Sequence, residues 1–211
     1  MSLVAIIHQA TLAPSKLDLV ARWLPEQPWG AGQVGALRQV ERFRFDDPAG
    51  EVGIEVILAR AGDGPILQVP LTYRAAPLAG AEAALLGTME HSVLGTRWTY
   101  DGCQDPVALS AMLAAIRTGG READLDVAQA DGTTQRRPSP THVRGSGTAL
   151  SSAPATAASA RSDATATVVD CGDARLAVAR VLGQPFPVAE GAVLTGTWPG
   201  QDDPIALMTI R

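Results

Sequence analysis

AALLGTMEHSVLGTRWTYDGCQDPVALSAMLAAIRTG, residues 83–119, passes from strand chemistry to helix chemistry within a few positions. Arg97-Trp98-Thr99-Tyr100 is rich in β-branched and aromatic side chains and predicts a short strand. Asp105 then precedes Pro106. An aspartate can cap the free N–H groups of a first helical turn, and the fixed φ of proline suits the position after it. Leu109, Met112, Leu113 and Ile116 recur at three- and four-residue spacing, so the predicted helix carries one apolar stripe. Gly119 and Gly120 end it. A helix with a single apolar stripe needs a surface to cover, and the flanking strands supply a sheet.

Upstream, Leu37 to Phe45 alternates with a period of two, the turn DDPAG follows, and Val52 to Arg60 reads as the next strand. Asp63-Gly64 makes a second turn before ILQVPLTY at Ile66 to Tyr73. These three strands predict an antiparallel meander. Pro70 cannot donate to a ladder, so its strand is expected at an edge or bulged there. Nearer the start, Ser2 to Gln9 reads as a strand. Ser15 with Asp18 three residues on is a capping-box pair, and Lys16 to Leu24 is expected as a short amphipathic helix ended by Pro25 and Pro28. Trp23 and Trp29 flank its exit and are expected in the core.

Downstream, 123–129 and 134–143 read as a hairpin about Asp131-Gly132. Residues 145–166, GSGTALSSAPATAASARSDATA, are small and polar and lack the apolar area that offsets ordering entropy. Two more hairpin pairs follow, about Gly172-Asp173 and about PGQDD at 199–203. The expected organisation is a region at 1–144, a flexible low-complexity loop or linker at 145–166, and β-hairpins at 167–211. Those hairpins either complete the same sheet or form a small second one. The fold class is α+β: an antiparallel β-sheet packed by a few helices, with a β-rich C-terminal part.

The totals fit a globular chain. At 211 residues a compact fold buries about 70% of the unfolded surface, enough for a core of its own. A net charge of −5 argues against nucleic acid, which needs a basic face. Lys16 is the only lysine among 17 basic residues. Arginine enrichment suits carboxylate or phosphate recognition, and biased codon usage produces it too. No apolar run nears the roughly 20 residues of a membrane span, and the start lacks the basic and apolar regions of a signal peptide. Cys103 and Cys171 form no metal-binding or Cys-x-x-Cys motif, so a cytoplasmic location with reduced thiols is expected.

Phosphate-cradling loops, the nucleophile elbow and H-E-x-x-H do not occur in the sequence. No metal, cofactor or catalytic set is therefore expected. The richest cluster is Glu90, His91, Arg97, Trp98, Tyr100 and Asp101. Glu, His and Asp can do acid–base work, whereas an aromatic face beside charged groups suits a ligand or partner surface. Strand neighbours point to opposite faces, so adjacency in sequence does not make a constellation.

Residues 44–78 (RFDDPAGEVGIEVILARAGDGPILQVPLTYRAAPL) and 87–120 resemble the N-terminal cap domain of bacterial maltokinases and related sugar kinases. LQVPLTYR at 67–74 and the step from Tyr100-Asp101-Gly102 to Asp105-Pro106 are the most telling parts. The resemblance implies a curved antiparallel sheet packed by helices. In that family phosphoryl transfer belongs to separate kinase lobes, marked by His-x-Asp and a metal-binding acidic triplet. Here His91 is followed by Ser-Val and His142 by Val-Arg, and the chain is expected to end where such lobes begin. The implied role is a binding or regulatory protein without catalysis of its own, working with a separate sugar kinase or another enzyme of α-glucan or trehalose metabolism. Two other readings stay open. One is a sugar-binding protein that uses the concave sheet face, with Trp98 and Tyr100 as a stacking platform. The other is an enzyme of unrecognised type around Glu90, His91 and Asp101.

Overall fold

A computed structural model of the chain describes residues 6–7, 11–128, 134–156, 159–187 and 191–211. The opening elements are β1 (Ile6–Ile7), β2 (Leu12–Ala13) and α1 (Lys16–Trp23). The meander follows as β3 (Leu37–Phe45), β4 (Gly53–Ala61) and β5 (Ile66–Arg74), then the hairpin β6 (Leu85–His91) and β7 (Gly95–Asp101). After α2 (Pro106–Arg117) come β8 (Leu125–Ala128), β9 (Thr134–Arg137), β10 (His142–Gly145) and β11 (Ala160–Ser162). The chain closes with β12 (Ala166–Asp170), β13 (Arg175–Ala179), β14 (Val193–Trp198) and β15 (Gln201–Ile210).

The alternating sequences of β3, β4 and β5 pair antiparallel as expected, and β7 and β6 extend the sheet to the order β2-β6-β7-β5-β4-β3. The C-terminal strands build a second antiparallel sheet, β10-β14-β15-β13-β12-β11. The two sheets touch at the start of β5, where Gln68 N donates to Arg180 O (2.9 Å) and Leu182 N to Ile66 O (2.8 Å). A small third sheet pairs β1 parallel to β8 and β8 antiparallel to β9. Of the strand expected at 2–9, Ile6–Ile7 is described. The Asp131-Gly132 turn of the expected hairpin lies outside the described residues.

Packing follows the apolar patterns. The α2 stripe of Leu109, Met112, Leu113 and Ile116 is buried in one cluster with Phe43, Val56 and Leu58 of the first sheet and Val178, Leu194 and Met208 of the second. Each fully buried aliphatic side chain there contributes about 1.5–3 kcal/mol relative to exposure. Asp105 caps α2 as its sequence implies, and at the far end Gly119 (φ 66°) turns the chain so that Gly120 N donates to Ala115 O (2.8 Å). On the opposite face of the first sheet, Val20, Trp23, Leu24 and Trp29 cover Ile57, Val69 and Leu71. The Ser15–Asp18 capping box that starts α1 is formed. Both faces of the meander are thus filled with side chains.

Pro70 falls inside β5, which has partners on both sides. The ladder on the side away from β4 is interrupted there. Gln68 N points to Arg180, and β7 pairs with β5 only from Leu71 onward. The missing N–H of Pro70 lies in that gap, closed by Gly102, whose added Cβ would come 3.1 Å from the Pro70 ring. The small residues of 145–166 also have contacts. Gly147 N donates to Ile116 O and Ala149 N to Arg117 O (both 2.9 Å), while Ala155 is buried beside α2 with its N–H on Ser110 Oγ (2.9 Å). Residues 157 and 158 of this stretch are outside the described set.

Candidate functional site

The six residues singled out from sequence lie on β6 and β7, and the pleat divides them. Cross-strand partners Glu90↔Thr96 and Thr88↔Trp98 place Glu90, Trp98 and Tyr100 on one face. His91, Arg97 and Asp101 fall on the other. His91 sits at the hairpin tip and Asp101 at the far end of β7, about 20 Å away at about 3.3 Å per residue. No acid–base pair between them is within reach.

Their contacts are mostly internal. Glu90 is exposed and accepts from Thr96 Oγ1 (2.7 Å). His91 Nδ1 accepts from the Val93 and Leu94 N–H groups (3.2 and 3.1 Å), closing the hairpin turn, and Arg97 Nη2 donates to Leu94 O (2.7 Å). Trp98 is half-buried and packs with Leu78, Ala81, Ala84 and the buried Tyr100, whose hydroxyl accepts from Leu78 N (2.9 Å). Asp101 is buried and pairs with Arg180, Nη2 to Oδ2 at 2.5 Å, while its Oδ1 accepts from Cys103 N (3.1 Å).

Three polar clusters organise the fold around these residues. Glu55, alone among apolar neighbours on β4, is 2% exposed and receives Lys16 Nζ (2.6 Å), Arg42 Nη1 (3.0 Å) and the Tyr73 hydroxyl (2.7 Å). Burial pushes its carboxyl upward, but Lys16 and Arg42, with hydrogen bonds from Lys16 and Tyr73, outweigh that and hold its pKa at about 2. Lys16 also lies 4.7 Å from the Tyr73 ring centroid. The second cluster is a bidentate pair in which Arg74 Nε and Nη2 donate to the two oxygens of Asp105 (2.7 and 2.6 Å). It ties β5 to the α2 cap. The third is Arg180, fully buried, with Nε on Thr167 Oγ1 (2.7 Å) and its guanidinium 4.9 Å from the Trp29 ring.

Burial raises the pKa of both Cys103 and Cys171, which form no disulfide, so neither thiol is activated as a nucleophile. No group of three or more His, Cys, Asp or Glu side chains placed to hold a metal occurs among the described residues. No described helix is long and apolar enough to cross a membrane.

A larger concavity lies elsewhere. A groove of about 970 Å³ runs along the outer side of α2, floored by Val107, Ala111 and Ala114 and walled by Phe45–Ala49 on one side and Ser152–Ala155 on the other. Sequence reading missed it because its walls come from segments far apart in the chain. A single charge inside an apolar run, Glu55 in VGIEVILAR and Arg180 in LAVARVL, is the local signal of a buried polar cluster.

A search of curated proteins finds no match to this chain. Residues 23–105, which run from the end of α1 through β3–β7 to the α2 cap, match the family model of the maltokinase N-terminal cap domain, and over that part the chain is similar to such a cap.

Proposed function

We propose that the chain is a cap-type binding or regulatory module that works with a separate sugar kinase in sugar or α-glucan metabolism and does not itself transfer a phosphoryl group. The observation that carries this reading is the match of residues 23–105 to the maltokinase cap domain. Contacts around the candidate acid–base residues support it. Asp101 is engaged by Arg180, His91 caps a turn, and the two are too far apart to cooperate. The α2 groove adjoins the matched segment at Phe45–Ala49, and its alanine floor lets another backbone approach closely. We assign this groove as the face that a kinase lobe covers. A cytoplasmic location belongs to the same reading and fits two cysteines without a disulfide.

The test is complex formation with a purified sugar kinase that lacks a cap of its own. Ala114→Arg, which puts a charge on the groove floor, should remove the complex and leave the fold intact. In parallel, the chain with ATP, magnesium and a panel of sugars should give no phosphosugar above a blank. A saturable thermal shift with maltose or trehalose, without any kinase complex, would favour the sugar-binding reading instead.

A further inference from the structure

A second concavity, of about 300 Å³, lies on the outer face of the C-terminal sheet at its β10 edge. Its side chains are placed by strand register. His142 pairs with Thr197 and Arg144 with Thr195, so these four project to one face, while Val143 and Gly196 between them face the core. Gly196 keeps that inner side bare because an added Cβ would lie 2.6 Å from Leu207. An isolated bridge pairs Arg121 with Arg144 and brings a second guanidinium to the same rim. Pro204 supplies an apolar wall.

We propose that this pocket binds a phosphate monoester, with Arg121, His142 and Arg144 as the cationic and donor groups and Thr195 and Thr197 as hydroxyl partners. Charge accounting points to an anion. Within a chain of net charge −5, Arg144 has no ion pair or hydrogen-bond partner for its guanidinium among the described residues. The nearby acids are already engaged. Asp124 receives Arg121 Nη1 (2.9 Å) and Arg136 Nη1 (3.2 Å). Glu122 is 7% exposed, and its Oε2 accepts from Val143 N (2.8 Å) while its Oε1 lies 3.0 Å from His142 Nδ1 and 4.0 Å from Arg121 Nη1. An ionised carboxylate only accepts, so Nδ1 carries the hydrogen in that contact, and Nε2 donates to a phosphate oxygen when the ring is an imidazolium.

The donors come from three chain segments, the α2–β8 connection, β10 and β14. A tetrahedral anion with several oxygens can meet donors from several directions, whereas a planar carboxylate is satisfied by one bidentate arginine. The cavity is at the small end of ligand pockets, large enough for a phosphorylated monosaccharide. The phosphate could be carried by a sugar or by a nucleotide. The shared chemistry is the phosphate monoester, and the test separates the carriers.

The experiment titrates the full chain with inorganic phosphate at fixed pH and ionic strength, read by calorimetry, with chloride and sulfate as controls. Glucose 6-phosphate and AMP follow. Saturable phosphate binding is expected, weakened by at least about tenfold in Arg144→Met and partly retained in Arg144→Lys. Both variants should melt with the wild type, since Arg144 is exposed and its guanidinium has no hydrogen-bond or ion-pair partner among the described residues. Tighter binding of glucose 6-phosphate than of AMP would assign the sugar as carrier, and the reverse order the nucleotide. A titration that does not saturate, that is unchanged in Arg144→Met, or that chloride reproduces would overturn the proposal.

Discussion

Removing Asp101 separates a structural role for this residue from a functional one. Arg180 is fully buried, and its Nη2 lies 2.5 Å from Asp101 Oδ2. Its other contacts are Thr167 Oγ1 at Nε and the face of Trp29, and Nη1 has no hydrogen-bond partner among the described residues. In Asp101→Ala a buried guanidinium therefore keeps one neutral hydrogen bond and an aromatic face. Breaking one side of a buried ion pair costs about 3–5 kcal/mol, because the remaining charge is desolvated without compensation. Cys103 N–H also loses its acceptor. The pair joins the end of β7 in the first sheet to the residue after β13 in the second, so the loss should loosen the contact between sheets. Urea unfolding followed by tryptophan fluorescence reads the cost, and the double variant Asp101→Leu/Arg180→Met should recover most of it, since apolar groups of similar volume can replace such a pair. A cost below about 1 kcal/mol for Asp101→Ala, the size of a surface pair, would refute the reasoning. Asp101 would then be open to the catalytic role that its sequence neighbours suggested.

Two further predictions follow from the packing. Glu55 has an ordinary value of 4.5 and is held at about 2 in the fold. Its stabilisation, about 3 kcal/mol, is therefore complete above about pH 4.5 and is lost as pH falls toward about 2. Unfolding free energy measured across that window should fall more steeply in the wild type than in Glu55→Gln, and parallel curves would show that the Lys16, Arg42 and Tyr73 contacts do not act as described. Gly147→Ala would put a Cβ 2.2 Å from Arg117 O, so one backbone must move at a cost of about 1–3 kcal/mol. Unchanged stability in thermal melts would show that residues 145–155 do not lie on the end of α2.

The parts of the fold that were legible in the sequence are those decided locally. The Asp105-Pro106 start of α2, its apolar stripe, the Ser15–Asp18 box and the alternation of β3 each depend on neighbours within one or two turns. That the C-terminal hairpins build a sheet of their own depends on β13 pairing with β15 and β10 with β14, pairings no local pattern encodes. Composition also cannot distinguish residues that are small because nothing packs on them from residues that are small because something does. Gly145 and Gly147 are of the second kind, since an added Cβ on each would meet a carbonyl oxygen of α2 at 2.0 and 2.2 Å. For the candidate residues, closeness in sequence does not become closeness in space. Glu90 to Asp101 are split by the pleat and by the length of β7, while the true partner of Asp101 lies 79 residues on. The Arg121, His142 and Arg144 pocket was invisible for the same reason, as it needs β14 to complete it.

The central claim is that this chain serves a separate sugar kinase as a cap. Sedimentation velocity of the full chain mixed with a purified sugar kinase that carries catalytic lobes and no cap tests it most directly. A saturable complex is expected, abolished by Ala114→Arg while the variant keeps the wild-type melting temperature. Two species that sediment independently at every concentration ratio, or a complex that Ala114→Arg leaves untouched, would contradict it.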